Sequence, residues 1–255
     1  MCFDLDSSPP IPAISGAAVS HRDLLLEASD GNRFAAFAAV PDEAKAAGVV
    51  VLPDVRGLYR FYEELALRFA ERGIAAVAID YFGRTAGADK RGEDFEYMPH
   101  VQATTPEGIQ RDVGAAVKFL ETGDTATPAI FTVGFCFGGR HSWLAAAAGH
   151  ELAGAVGFYG RPSVGHTRDD GTPGPTQRAP EIKAPILALM GGDDPCIPAE
   201  DINAFDEALD AAGVAHEVVV YPGAPHSFFD RKYDDFAAAS EDAWNRVLRF
   251  IERHS

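Results

Sequence analysis

Short apolar runs alternate with amphipathic stretches from residue 48 onward, and this alternation limits the possible folds more than any other feature. The runs are almost continuously apolar, as expected for parallel strands that are covered on both faces. Strands and helices that alternate in this way form a doubly wound sheet, whose ligands bind beyond the carboxyl ends of the strands. We predict strands at 48–52, 74–79, 129–133, 153–158, 186–190 and 216–220, and helices at 61–72, 106–121, 140–149, 199–212 and 233–253.

Before residue 48 the sequence shows a hairpin pattern and a proline-containing segment instead of alternating strands and helices. Residues 23–28 and 33–40 flank the sequence Ser-Asp-Gly-Asn, which is typical of a hairpin turn between antiparallel strands. Residues 1–18 contain three prolines, at positions 9, 10 and 12, and predict a loose leader. Because a chain of 255 residues suits one α/β core, we expect residues 19–255 to form a single domain.

Charge and cysteine content narrow the choice of partners and compartment. The 22 basic and 38 acidic residues give a net charge of −16, which disfavours binding to nucleic acid or to an anionic membrane. The three cysteines, Cys2, Cys136 and Cys196, are too few and too widely spaced for a disulfide framework or a metal motif. The N-terminal residues lack the pattern of a signal peptide. We therefore expect a cytoplasmic protein with no metal or cofactor, active as a monomer or small homo-oligomer.

The segment 134–139, Gly-Phe-Cys-Phe-Gly-Gly, lies between a predicted strand and a predicted helix. Glycines at these spacings mark a sharp turn that exposes one strained side chain beside unpaired backbone N–H groups. Cys136 occupies that position. A buried cysteine is ordinarily a small inert hydrophobe, but the glycine frame favours a nucleophile.

Two later strand ends carry the groups that a thiol nucleophile needs. Asp193 and Asp194 follow the strand at 186–190, and His226 follows the strand at 216–220. An imidazole can take the thiol proton, and a carboxylate can orient that imidazole. We favour Asp194 over its neighbour because the Asp-Pro-Cys-Ile-Pro sequence that begins there is typical of the acid loop in such hydrolases. The order nucleophile, acid, histidine is that of α/β hydrolases.

An oxyanion formed at the thiol would need two backbone donors. The N–H of Phe137 directly follows the nucleophile in the chain. The second donor is expected from the loop after the strand at 48–52, and we predict the N–H of Val55.

From residue 48 to its end the chain resembles the dienelactone hydrolase family. The resemblance is carried by Leu-Pro-Asp-Val-Arg-Gly-Leu at 52–58, Ile-Asp-Tyr-Phe at 79–82, Gly-Asp-Asp-Pro-Cys-Ile-Pro at 192–198 and the segments 134–139 and 221–228. It implies an α/β-hydrolase fold, with an eight-stranded, mostly parallel sheet, helices on both faces and no large cap domain. It also implies Cys136, Asp194 and His226 as the catalytic triad.

The sequence departs from the family pattern at two positions. The family commonly has a glutamate near the thiol, thought to help control its ionisation, and this chain has the shorter Asp54. The founding enzymes carry an arginine soon after the catalytic histidine that grips a substrate carboxylate. Here Arg231 is shifted by one position and follows Asp230, which would repel an anion. These departures speak against dienelactone itself as the substrate.

Several side chains in the loops after the strands are candidates for a mostly apolar substrate pocket. They are Tyr81, Arg84, Phe95, Tyr97, Arg161 and Phe228. The alternative for the two arginines is a solvated loop charge, and the alternative for the aromatic residues is a small satellite core.

Together these features predict a hydrolase of small lactones or activated carboxylic esters that forms an acyl-thiol intermediate on Cys136. Two alternatives remain open at this point. One is an esterase, thioesterase or phosphotriesterase that acts on a different small substrate. The other is a catalytically silent protein of the same fold that uses the thiol for binding or redox sensing.

Overall fold

The computed structural model describes residue 4 and residues 6–43, 46–92, 94–122, 125–167 and 170–255, so Cys2 and part of the N-terminal segment lie outside the described residues. The described residues form one eight-stranded sheet with the strand order β1-β2-β4-β3-β5-β6-β7-β8. The strands are β1 (Val19–Glu27), β2 (Arg33–Pro41), β3 (Ala47–Leu52), β4 (Ala75–Ile79), β5 (Ala129–Phe135), β6 (Gly154–Phe158), β7 (Ile186–Gly191) and β8 (His216–Tyr221).

Strands β3 to β8 run parallel, whereas β1 pairs antiparallel with β2 and β2 pairs antiparallel with β4. The first two strands form the predicted hairpin, with Glu27 opposite Arg33 across a turn in which Gly31 has a φ of 81°. The prediction of an eight-stranded, mostly parallel sheet is confirmed.

Helices lie between the strands. They are α1 (Arg60–Ala70), α2 (Gly83–Ala86), α3 (Tyr97–Ala103), α4 (Pro106–Glu121), α5 (Phe137–Ala145), α6 (Pro175–Arg178), α7 (Ala199–Ala212) and α8 (Ala237–His254). Helix α4 begins where the sequence predicts, because Thr105 caps it by accepting a hydrogen bond from the N–H of Gly108 at 3.1 Å. The short helices α2, α3 and α6 were not predicted.

The two faces of the sheet are covered by different helices. A side chain at Gly154 in β6 would meet the Phe250 ring of α8, and one at Gly157 would meet the Trp143 ring of α5. Positions three apart in a strand point to opposite faces, so α8 and α5 cover opposite faces of the sheet. Among the described residues, every helix is too short or too polar to cross a membrane.

Strand β5 extends two residues beyond its predicted end and so reaches Cys136, the residue at the sharp turn, directly. Gly134 pairs with Leu52 of β3, which continues the parallel ladder. Glycine is needed there because a Cβ would lie only 2.0 Å from the carbonyl oxygen of Gly138 in α5. The strand and the helix that follows it are therefore packed backbone against backbone on either side of Cys136.

Part of the segment predicted to be a loose leader is attached to the domain. The N–H of Ser8 donates to the Asp230 carboxylate at 3.3 Å, and the Ser8 carbonyl accepts from the N–H of Arg231 at 3.1 Å. Ile11 is buried. These backbone contacts hold the residues around Ser8 against the loop that follows β8.

Candidate active site

Cys136 lies between the last residue of β5 and the first residue of α5. Its backbone has a φ of 55° and a ψ of −112°, which a residue with a side chain seldom adopts. The conformation is held by two backbone hydrogen bonds: the Cys136 N–H donates to the Phe158 carbonyl at 2.9 Å, and its carbonyl accepts from the Arg140 N–H at 3.2 Å. The half-buried thiol is therefore presented at the sharp turn that the sequence predicted.

Asp194 and His226 form a hydrogen-bonded pair at the carboxyl ends of β7 and β8. Asp194 Oδ2 lies 2.6 Å from His226 Nδ1, and both side chains are buried. The second carboxylate oxygen accepts from the N–H of Cys196 at 2.8 Å, which fixes the carboxylate plane. With Nδ1 facing the acid, Nε2 is the ring nitrogen through which the imidazole can exchange a proton with a nucleophile.

Tyr159, which was not predicted to be part of the site, connects these groups. It directly follows β6, and its ring packs on the His226 ring with centroids 5.0 Å apart. The preceding residue, Phe158, accepts the hydrogen bond from Cys136, so consecutive residues at the end of β6 contact the thiol residue and the histidine. Tyr159 has a positive φ of 37°, and Ser227, beside the histidine, has a φ of 59°. The strand-end position is the signal that could have identified Tyr159.

The loop after β3 carries the predicted oxyanion donor, Val55, and is held by two buried tyrosines. Tyr81 donates its hydroxyl to the Pro53 carbonyl at 2.8 Å, and the Tyr62 hydroxyl accepts from the Asp54 N–H at 2.8 Å. Burial raises the pKa of both phenols well above the usual value, so both stay protonated. The tyrosines therefore hold both the carbonyl and the N–H of the peptide group that joins residues 53 and 54.

The Asp54 carboxylate is bound by residues of its own loop. It accepts from the Arg56 N–H at 2.8 Å, from the Arg56 guanidinium at 3.3 Å and from the Tyr59 hydroxyl at 3.2 Å. Burial is the largest single influence and acts against the charge of Arg56, but Asp54 together with Tyr59 and Tyr62 raises the pKa of the guanidinium. Through these contacts Asp54 stabilises its own loop. Its predicted effect on the ionisation of the Cys136 thiol stays a prediction.

Phe137 provides the first backbone N–H of α5. The first N–H groups of a helix have no partner within that helix, and they face an anion favourably. The Phe137 ring packs edge-on against Tyr81 with centroids 5.5 Å apart. The same tyrosine therefore contacts both segments that are expected to supply oxyanion donors.

Arg84, predicted to be a pocket residue, is part of an ion-pair network between elements. Its guanidinium lies 2.9 Å from Asp30 in the β1–β2 turn and 2.5 Å from the buried Asp112 of α4. The two ion pairs connect the β1–β2 hairpin to helix α4. These ion pairs give Arg84 a structural role, and its place in a substrate pocket stays a prediction.

The aromatic pocket candidates have different surroundings. Phe95 stacks on His100 with centroids 5.0 Å apart, and the Arg91 guanidinium lies 4.7 Å from its ring centroid, so it belongs to a satellite cluster. Tyr97 begins α3 and is half-buried against the core. Phe228 is fully buried behind Tyr159, with ring centroids 5.6 Å apart. Phe228 therefore supports the histidine loop instead of lining an open pocket.

The buried Arg140 of α5 fixes the segment that follows β6. Arg140 donates to the carbonyls of Arg161 and Ser163 at 2.9 and 2.6 Å, and burial lowers the pKa of its guanidinium to about 10. The exposed Arg161 also donates to the Ser163 hydroxyl at 3.0 Å. Nearby, burial lowers the pKa of His166 to about 4 and that of His141 well below its usual value. Both histidines are therefore neutral at physiological pH.

One set of possible metal ligands in the described ranges combines Asp194, Cys196 and His226, whose donor atoms lie within 4.8 Å of one another. The linear sequence did not suggest this set, because Cys196 is two residues from the acid but 30 residues from the histidine. The parallel strands β7 and β8 bring the two loops together.

The sequence profile of the Dienelactone hydrolase family matches residues 34–255. A Yersinia pestis protein described as "Putative carboxymethylenebutenolidase" is 32% identical over 232 residues, covering 89% of this chain and 86% of that protein. A Rhodococcus opacus carboxymethylenebutenolidase is 29% identical and covers 100% of this chain and 97% of its own. The crystal structure of a Klebsiella pneumoniae protein, "Putative Dienelactone Hydrolase", has a TM-score of 0.79 at 26% identity over 92% of this chain and 99% of that one.

These matches extend over nearly the whole chain. They confirm the expectation of a carboxylic ester hydrolase with an α/β-hydrolase fold. The chain belongs to the dienelactone hydrolase family.

Proposed function

We propose that this protein hydrolyses small lactones or activated carboxylic esters with Cys136 as the nucleophile. Two observations carry the proposal: the buried Asp194–His226 pair, 2.6 Å apart, and a cysteine held at a strained strand-to-helix turn. The names of the relatives from Yersinia pestis and Rhodococcus opacus support the same class of reaction.

The reaction would proceed in two halves. In the first, His226 Nε2 takes the proton from the Cys136 thiol, and the thiolate attacks the substrate carbonyl carbon. The carbonyl oxygen becomes an oxyanion that accepts hydrogen bonds from the N–H groups of Phe137 and Val55. Collapse of this intermediate breaks the bond to the leaving oxygen, which receives the proton from the imidazolium.

In the second half, water replaces the leaving group. His226 removes a proton from the water, the resulting hydroxide attacks the acyl-thiol carbonyl, and the carboxylic acid product leaves as Cys136 regains its proton. Asp194 stabilises the imidazolium in both halves and keeps the imidazole in the correct tautomer. Tyr159, which packs on the imidazole, limits its rotation.

Two arginines in the segments that follow β3 and β4 are already paired with carboxylates. Arg84 is bound by two carboxylates, and the Arg56 charge is balanced by Asp54 at 3.3 Å. Neither arginine offers an uncompensated charge for a substrate carboxylate. We therefore propose neutral lactones or esters as the preferred substrates.

We also propose a reducing compartment such as the cytoplasm as the site of action, since a thiol nucleophile works only while it is reduced. The net charge of −16 supports an enzyme that acts on small molecules without nucleic acid or membrane partners, as a monomer or small homo-oligomer. The proposed reaction needs no cofactor.

The test is turnover of p-nitrophenyl acetate and of a simple enol lactone by wild type and Cys136→Ala. We expect the variant to lose kcat by about 10⁴-fold or more, as is usual for loss of a nucleophile. Cys196→Ser is the matched control, because it alters a thiol outside the triad and should keep turnover. Rapid quenching and mass spectrometry should detect an acetyl group on the peptide that contains Cys136.

Full turnover by Cys136→Ala would exclude the thiol mechanism. Peroxide oxidation of Cys136 without ester turnover would instead favour the redox alternative. His226→Ala in combination with Cys136→Ala should lower kcat little further, because the members of such a unit are not additive.

A further inference from the structure

We propose that Asp194, Cys196 and His226 form an inhibitory site for Zn²⁺ or a similar thiophilic divalent cation. One donor atom from each residue, a carboxylate oxygen, a sulfur and a ring nitrogen, lies within 4.8 Å of the other two. This proposal rests on the proposed function, because the bound ion would act by withdrawing His226 from proton transfer.

Small side-chain movements would complete the site. Bonds of about 2.0–2.3 Å in a tetrahedral zinc site place ligand atoms about 3.3–3.6 Å apart. The 2.6 Å between Asp194 Oδ2 and His226 Nδ1 must therefore open, and the widest separation, at most 4.8 Å, must close. The backbone is already in place, since the Cys196 N–H is bound to the other carboxylate oxygen at 2.8 Å.

The ligand types select the class of ion. Mg²⁺ and Ca²⁺ prefer oxygen ligands, whereas a thiolate and an imidazole favour Zn²⁺ and its softer neighbours. A carboxylate completes three protein ligands and leaves a fourth position for water. The cation class is therefore zinc-like.

Proton balance explains why such an ion would inhibit. Binding requires Cys196 as a thiolate, so its proton passes to solvent. The ion takes the place of the proton on His226 Nδ1, and that proton moves through solvent to Nε2. His226 then stays neutral but carries its proton on Nε2, where it can no longer accept one from a thiol. One proton is released for each ion, and no oxidation or reduction takes place.

Exposure and charge favour entry of a cation. Cys196 is exposed, whereas Asp194 and His226 are buried beneath it. Asp193, exposed in the same loop, adds a negative charge near the opening. The net charge of −16 also raises the local concentration of cations at the surface.

Cys136 is a second thiol that could bind the same ion, so the direct test removes it. After treatment with a chelator, Cys136→Ala protein is titrated with Co²⁺, and the near-ultraviolet charge-transfer band of a cobalt–thiolate bond is followed. We expect the band in Cys136→Ala and its loss in Cys136→Ala/Cys196→Ser. Zn²⁺ should displace Co²⁺ and abolish the band.

The kinetic test uses ester turnover with Zn²⁺ as the inhibitor. Changes to outer-shell partners alone typically lower metal affinity by about 10–100-fold, so loss of a direct ligand in Cys196→Ser should raise the inhibition constant at least tenfold. Inhibition of each protein is expressed relative to its own turnover without Zn²⁺. Equal inhibition of both proteins, or a cobalt–thiolate band that persists without Cys196, would overturn the proposal.

The two tests separate failure of this proposal from failure of the proposed function. The cobalt titration needs no catalytic activity, so it remains decisive if the protein does not hydrolyse esters. Conversely, hydrolysis through Cys136 with no sensitivity to Zn²⁺ would leave the proposed function intact and reject the metal site.

Discussion

Replacement of Gly138 by alanine should damage the proposed oxyanion site without removing a proposed catalytic side chain. A Cβ at this position would lie 2.1 Å from the Leu52 carbonyl oxygen and 2.3 Å from that of Pro53, whereas ordinary contacts begin at 3.4 Å. Both neighbours are backbone atoms, so α5 and the end of β3 must separate by roughly 1 Å. The movement acts directly on the segment that leads to Val55.

Two opposing energies set the expected change in stability. Alanine in place of glycine favours a helix by about 1 kcal/mol. Overpacking against rigid backbone typically destabilises by about 1–3 kcal/mol, and the overlap here is severe. We expect Gly138→Ala to lower the free energy of unfolding by about 2 kcal/mol. Displacing the oxyanion donors by about 1 Å should lower kcat for an activated ester about 10²-fold.

Three measurements check this prediction. They are urea unfolding, steady-state ester hydrolysis and the rate of Cys136 alkylation by iodoacetamide, which should be retained because the thiol itself is not replaced. Gly92→Ala is the matched control, since nothing lies within 4 Å of its added Cβ. If Gly138→Ala kept wild-type stability and turnover, the assignment of close backbone packing at the oxyanion site would be wrong.

Three further changes test other parts of the structure. The pKa of His166 is lowered to about 4 in the folded state, so the unfolded chain gains the proton first. Its contribution to stability is present above about pH 6.5 and is lost as the pH falls toward 4, by up to about 1.4 kcal/mol per pH unit. In urea unfolding at a series of pH values, His166→Gln should make the free energy of unfolding less dependent on pH in this range. Arg84→Gln leaves the buried Asp112 without its cation and should lower stability by about 2 kcal/mol in urea unfolding, with KM for a neutral ester unchanged. Thr105→Ala removes the cap of α4 and should lower the free energy of unfolding by about 1 kcal/mol, with a matching fall in Tm.

The sequence could predict those parts of the molecule that depend on local patterns. Continuous apolar runs identified the parallel strands, and the segments that follow them contained Cys136, Asp194 and His226. The pairing of Asp194 with His226, 32 residues apart, follows from the neighbouring positions of β7 and β8. In parallel sheets, strand ends share one edge, so the linear order contains this information.

Other parts depend on contacts that no local pattern records. Arg84 looked like a pocket residue because its partner Asp30 lies 54 positions away in the chain. Tyr159 directly follows a predicted strand but belongs to no motif, and its contact with the His226 ring depends on the fold. Helix α2, with four residues, is too short to show the periodicity of an amphipathic helix.

Backbone strain has a consequence for how this protein can evolve. Among the described residues, four with side chains have positive φ, and three of them, Cys136, Tyr159 and Ser227, surround the candidate site. Such residues cost about 1–3 kcal/mol each, and surrounding structure must impose the conformation. Selection for heat tolerance could therefore use stabilising substitutions elsewhere without loss of turnover, whereas relaxation of these three positions would raise Tm and lower turnover together. The most stable sequence for this fold and the most active one are thus expected to differ at the ends of β5, β6 and β8.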